Sequence, residues 1–357
     1  MNLPSHGANP SHLYKASGVD EPEKVLDFSV NTNPLGPPDW LKERWAGFLH
    51  TIEDYPDPTG QKAVAAIGEK FDIPYDRILL GNGAAEIIHF IARYAAGQKA
   101  VIVAPAFSEY EEACRAYHCP VEFVSVPPNN WHLPLDELAE KAKDAGVVFL
   151  CTPNNPTGQS FQEKDIVSLL EKTGDSNAMI VIDEAFYDFA GDNSLVKYVN
   201  AFPHLAVMHS MTKMYAVAGL RIGYVISSPG IISKLKNYQP HWNVNAIALQ
   251  AAEAIARDEV HAGKTRALID SERIRMKDKL EQLGFAVMPS SVNFYLMKEP
   301  LLADQKPLLH YLMERGIVLR HTENFRGLDG MWLRTAVKKE KDNNELLNAL
   351  TEWRNKC

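Results

Sequence analysis

Cysteine is scarce in this sequence, with 4 in 357 residues. The four (Cys114, Cys119, Cys151, Cys357) show no paired spacing of the kind that holds a metal. Cys114 and Cys119 could pair with each other, but reduced thiols in a cytoplasmic protein are the expectation. A basic excess is also missing. With 45 acidic residues against 37 basic ones the net charge is −8, which argues against nucleic acid as the main partner. No apolar run reaches the length of a membrane span. The opening MNLPSHGANP lacks the basic-then-apolar order of a secretion signal. Repeats and low-complexity tracts are absent too. What remains is an ordinary globular composition, 46% hydrophobic and 23% charged, in a chain long enough for two domains. An enzyme is expected.

From about residue 75 to 230, short apolar runs alternate with longer segments of helical spacing. RILLGNG, KAVIVAP, GVVFLCTP, AMIVIDEA, LAVMHSM and RIGYVISS read as buried strands. AAEIIHFIARYAAG and EKDIVSLLEKTG read as helices between them. This alternation predicts a largely parallel sheet covered on both faces, with ligands in the loops beyond the carboxyl ends of the strands. Residues 264–283 predict a long charged helix ended by Gly284. Three short strands follow (VNFYLM, GIVLRH, MWLRTAV), then a last helix near 342–355. Residues 36–245 are therefore expected to form a large α/β domain, and 1–35 with 246–357 a smaller α+β domain. The cleft between them is the expected site.

The expected strand ends carry the chemistry. GNGAAE supplies a tight turn at Gly81 and Gly83, followed by a helix start that offers free N–H groups to an anion. CTPNNPTG supplies Asn155, VIDEAF supplies Asp183, and HSMTKMYAVAGLR supplies Ser210, Lys213 and Arg221. A lone lysine and a lone carboxylate at two apolar strand ends could be an internal ion pair, since buried unpaired charge is costly. That reading accounts for Asp183 and Lys213 but leaves the glycine turn and the Asn155 turn without a purpose. Pyridoxal 5'-phosphate needs the whole set: an amine for its aldehyde, a carboxylate for its pyridine nitrogen, and donors for its phosphate.

In the order GNGAAE, PNNPTG, DEAF, SMTK and GLRIGY, the sequence resembles the fold-type-I pyridoxal-phosphate enzymes of the aspartate aminotransferase superfamily, from NTNPLG to WLRTAV. The resemblance implies that superfamily's α/β fold, with a large domain on a mostly parallel sheet and a smaller α+β domain. It implies Lys213 and Asp183 as catalytic residues, Lys213 bonding the cofactor and Asp183 facing its pyridine nitrogen. Asn155 would meet the phenolic oxygen, and Gly83, Ala84, Ala85, Ser210 and Arg221 would surround the phosphate. Phe107 falls where these enzymes stack an aromatic on the cofactor ring; a core aromatic after a strand would look the same. Tyr55 in DYPDP matches a tyrosine that reaches the phosphate from a partner subunit, which implies a homodimer with shared sites.

Within the superfamily, the chain is similar both to histidinol-phosphate aminotransferases and to the threonine-phosphate decarboxylases of cobalamin biosynthesis. Four features favour the decarboxylases. These are the start His6-Gly7-x-Asn9, the stretch DFSVNTNPLG, Phe186 where many aminotransferases carry a tyrosine, and NFRGLD before the last strand. GNGAAE departs from the GNGETE-like form of the decarboxylases. The resemblance makes Arg334 a grip for the substrate carboxylate or phosphate. It makes His6 and Arg320 candidates for the substrate phosphate, and places Asn33 in the same pocket. For Arg320 a surface arginine at a strand end is the competing reading, and Arg326 is expected to be solvated. A DNA-binding regulator on the same fold would need a basic module ahead of it, and the match already starts within the first ten residues. The expected partner is a small phosphorylated amino acid, with no membrane and no nucleic acid involved.

Overall fold

The computed structural model describes residues 7, 9–127, 129–191 and 194–356. Strand β1 (Leu26–Asp27) precedes a main sheet of seven strands. These are β2 (Ile78–Gly81), β3 (Lys99–Ala104), β4 (Val121–Ser125), β5 (Ala145–Cys151), β6 (Met179–Asp183), β7 (Leu205–Ser210) and β8 (Gly223–Ser227), in the order β2-β8-β7-β6-β5-β3-β4. All run parallel except β8, which is antiparallel to both β2 and β7. The strands are continuous apolar runs because both faces are covered. Side chains alternate between two cores. Val148, Leu150, Ile180 and Ile182 enter one, while Val147, Phe149, Met179 and Val181 enter the other.

A second sheet is antiparallel throughout. It contains β9 (Ala286–Val287), β10 (Phe294–Lys298), β12 (Arg320–His321) and β13 (Leu333–Ala336), in the order β12-β13-β10-β9. Strand β11 (Ile317–Val318) pairs in parallel with β1, which ties residues 26–27 to the C-terminal part of the chain. The long helix spans Glu259–Gln282, five residues earlier at its start than the expected 264. Asp258 caps it by accepting from His261 N–H, and Gly284, at φ +81°, follows its end. Cys114, Cys119 and Cys151 are buried free thiols, so the possible Cys114–Cys119 pairing is not formed. Among the described residues no helix is long and apolar enough to cross a membrane.

The expectation that Asn33 lines a substrate pocket is corrected by the structure. Its side chain is buried and fully engaged, with Nδ2 donating to Met214 O (2.7 Å) and Thr265 Oγ1 (2.6 Å). Oδ1 accepts from Leu35 N–H (2.9 Å), and the Asn33 N–H donates to Lys213 O (3.0 Å). Asn33 is a clamp. It fixes the Lys213 loop between the first residues of the chain and the long helix. Asn33→Ala would leave buried acceptors without donors, and is expected to lower stability by about 2–3 kcal/mol, read as a shifted denaturant midpoint.

Candidate active site

The site assembles at the carboxyl ends of β2, β5, β6 and β7. Beyond β2, Gly83 has φ +80°, and a Cβ there would lie 2.6 Å from Arg221 Nη2. The backbone there, φ +80° and ψ 165°, is a conformation that glycine alone adopts readily. Helix Ala84–Tyr94 starts immediately after, and its first N–H groups have no partners within the helix. Gly223 plays the same part on the other side, since a Cβ there would lie 2.8 Å from Ala84 N. Ser210 Oγ sits 2.8 Å from Thr212 Oγ1, and Arg221 Nη1 donates to Ala218 O (3.3 Å). Backbone N–H groups, a hydroxyl and an exposed guanidinium thus face one cavity of about 260 Å³. That donor set fits a phosphate.

Asp183 ends β6 inside the same cavity. Its Oδ2 accepts from the Tyr110 hydroxyl and its Oδ1 from Ala185 N–H (2.9 Å). Burial pushes the carboxyl pKa up, against the pull of Tyr110, Ala185 and Lys213. Lys213 shares the cavity, and no ion pair within 4 Å joins it to Asp183. The two are thus not in contact, although each favours the charged form of the other. Burial, helped by the charges of Arg334 and Arg221, brings the Lys213 amine down to about 8. An amine that gives up its proton more readily than a free lysine suits a carbonyl-binding role.

Two arginines close the far side. Arg320 and Arg334 face each other across β12 and β13, each only 6% exposed. Arg334 donates to Asn155 Oδ1 and to Ser29 O (2.7 Å), its buried Nε has no partner, and no carboxylate of the described residues lies within 4 Å. Burial first, then the Arg320 charge, brings Arg334 down to about 9. Arg320 donates to Asn324 Oδ1 (2.6 Å) and lies 5.3 Å over the Phe325 ring. It is a buried residue, not the surface arginine of the competing reading.

Ala84, Ala85, Phe107, Asn155, Phe186 and Ser210 line this cavity together with Asp183, Lys213, Arg221, Arg320 and Arg334. Phe186 packs edge-on against Phe294 (4.9 Å). Tyr55 does not line it. It is 80% exposed and packs on Trp242, 4.7 Å away. His6 lies outside the described residues, although Gly7 reaches the cavity wall. Several lining or supporting residues escaped the sequence analysis, three of them with an evident part in the site. Asn31, two positions before Asn33, lines the cavity with a buried, unpartnered Oδ1. Phe325 follows the Asn324 that holds Arg320. Tyr110 is an apolar-facing tyrosine in the charged segment SEYEEA, one helical turn after Phe107, and that placement was its only signal.

The residues present fit pyridoxal 5'-phosphate. The positive-φ glycine turn, the first helix N–H groups with no partner inside the helix and the lowered amine all match its functional groups. Tyr110→Phe would remove the donor that opposes the effect of burial on Asp183. The carboxylate then protonates at higher pH, so cofactor loss on acidification is expected to start at higher pH than in the wild type. Affinity at neutral pH should fall about tenfold, measured by absorbance after equilibrium dialysis.

Comparison with known proteins agrees with this geometry. The family model for class I and II aminotransferases matches residues 23–350. The chain is 32% identical over 350 residues to the threonine-phosphate decarboxylase of Salmonella typhimurium, covering 97% of this chain and 95% of that one. It is 30% identical over 309 residues to a histidinol-phosphate aminotransferase of Thermoanaerobacter, covering 84% of each. It is also 34% identical to an adenosylcobalamin biosynthesis bifunctional protein of Leptospira interrogans, over 98% of this chain but only 41% of that longer protein. Among solved structures, the histidinol-phosphate aminotransferase of Clostridium acetobutylicum superposes with a TM-score of 0.88 at 31% identity, over 93% of this chain and all of that one. That of Sinorhizobium meliloti, determined with pyridoxal 5'-phosphate, shares the fold with a TM-score of 0.88 at 20% identity, over 99% of this chain and 96% of that one. The chain belongs to the class I and II aminotransferase family, with the aspartate-aminotransferase-like fold and pyridoxal 5'-phosphate as its cofactor.

Proposed function

We propose that this enzyme decarboxylates L-threonine O-3-phosphate to (R)-1-aminopropan-2-yl phosphate, a step of cobalamin biosynthesis, in the cytoplasm and as a homodimer. One observation carries the reading: two buried arginines stand opposite each other in register, and among the described residues Arg334 has no carboxylate in contact, Asp27 acting on it only from farther away. Threonine phosphate brings a carboxylate and a phosphate on one short amine, an anion for each arginine. Histidinol phosphate has no carboxylate. Phe186 supports the same reading, because it offers no hydroxyl to the cavity.

In this reading Lys213 bonds the cofactor, Asp183 faces its pyridine nitrogen and Asn155 its phenolic oxygen. Gly83, Ala84, Ala85, Ser210 and Arg221 take its phosphate, and Phe107 packs on its ring. Tyr55 serves the neighbouring subunit. Its exposure, with that of Trp45, Leu49, Ile52 and Trp242, gives a surface that a second copy would cover. Bound pyridoxal 5'-phosphate supplies an electron sink for a bond breaking at the substrate Cα. Arg320 and Arg334 would select that bond by holding both anions and so fixing the orientation of the substrate about its Cα. The bond from Cα to the carboxylate carbon breaks and CO₂ departs. Lys213 Nζ, freed when the substrate amine takes its place on the cofactor, would then deliver a proton to Cα.

The second reading is a histidinol-phosphate aminotransferase, or one for another amino acid, using 2-oxoglutarate. The likeness to the Clostridium acetobutylicum enzyme favours it, and a dicarboxylate acceptor could also use both arginines. Loaded protein with L-threonine phosphate and no keto acid is expected to release CO₂ and aminopropanol phosphate in equal amounts. Glutamate from histidinol phosphate and 2-oxoglutarate, with no CO₂ from threonine phosphate, would overturn the proposal.

A further inference from the structure

We propose that the chain carries a second ligand site, beyond the carboxyl ends of β3 and β4, for a small amphipathic anion with a planar apolar body. A cavity of about 560 Å³ opens there, larger than the 260 Å³ of the candidate active site. It falls within the size range of small-molecule pockets. Ala104, Pro105 and Val126 from the main sheet form one wall, and Met288, Met331 and Trp332 form the other.

Two cations stand at this apolar surface. Lys298 Nζ lies 4.6 Å over the Trp332 ring, and the Arg326 guanidinium lies 4.0 Å over Phe123. Neither side chain makes a hydrogen bond or an ion pair with any described residue, a state shared by most of the chain's lysines but, among its arginines, only by Arg44 and Arg93. No aspartate or glutamate lines the cavity. A cation resting on an aromatic face keeps its N–H edge available, so each can still donate to an anion while the rings and methionines take an apolar body. Arg326 is exposed, as the sequence suggested, and lies against the Phe123 ring.

This site shares a wall with the first. Phe325 lines the candidate active site beneath Arg320, while the next residue, Arg326, lines the second cavity. The segment between them is closed at its base, where Thr322 Oγ1 donates to Trp332 O (2.7 Å) and accepts from Trp332 N–H (3.3 Å). Phe325, Leu328 and Trp332 pack with Leu296 as a small core of their own. An occupant held by Arg326 therefore bears on the residue that packs against Arg320. Binding at the second site is expected to change substrate KM severalfold.

The test uses the pyridoxal-phosphate-loaded protein and 8-anilinonaphthalene-1-sulfonate as probe. One saturable site per chain is expected, not displaced by substrate analogues. The double variant K298E/R326E should bind at least tenfold more weakly at unchanged cofactor content. If that variant does not fold, the single variants Lys298→Gln and Arg326→Gln are each expected to weaken binding severalfold. The uncharged relative N-phenyl-1-naphthylamine should also bind at least tenfold more weakly than the sulfonate. Displacement of the probe by substrate analogues, equal binding of the uncharged relative, or unchanged affinity in the charge variants would each overturn the proposal. None of these readings depends on whether the enzyme decarboxylates or transaminates.

Discussion

A buried guanidinium with no carboxylate of the described residues in contact with it is the constraint around which the site is arranged. Taking such a charge out of water costs several kcal/mol unless donors and counter-charge replace the solvent. Arg334 finds only neutral oxygens, from Ser29 and Asn155, and its neighbour in register is another arginine. Lys213 feels the same field, which adds to burial in depressing its amine from 10.5 to about 8. Between those two values the unfolded chain holds more protons at this position than the folded one. The cost of Lys213 to the ligand-free fold is thus absent above 10.5 and fully present below about 8. Anionic ligands offset that accumulated positive charge.

The scaffold that tolerates this arrangement is rigid where it must be. Arg334 sits on β13, an interior strand of the antiparallel sheet, held between β10 and β12. Lys213 follows the last parallel strand of the main sheet and is locked from behind by Asn33. Asp183 is held by donors on both of its oxygens. Each group therefore comes from a different element, and each is oriented by packing or hydrogen bonds that do not involve the ligand.

Much of this was legible in the sequence. Continuous apolar runs mark strands buried on both faces, and a polar residue directly after such a run lies at the sheet's edge where ligands bind. Asp183, Lys213, Asn155 and the glycine turn were readable on that basis. Strand direction was not, because RIGYVISS has the same apolar content whichever way it runs, and β8 proved antiparallel. Side-chain direction in irregular segments was equally hidden. In NTN both asparagines look alike, yet Asn33 turns toward Thr265 while Asn31 turns into the cavity. Tyr110 was missed for a related reason, since its partner Asp183 is 73 positions away.

The central claim, that the paired arginines demand an anion at each end of the ligand, is tested most directly by binding. L-threonine phosphate, L-threonine and 1-aminopropan-2-yl phosphate would be titrated into loaded Lys213→Ala protein, where turnover cannot mask affinity. Each ligand lacking one anion is expected to bind about tenfold to 100-fold more weakly than threonine phosphate. Equal affinity for either truncated ligand would contradict the account, because it would mean that one of the two buried arginines does not recognise the substrate.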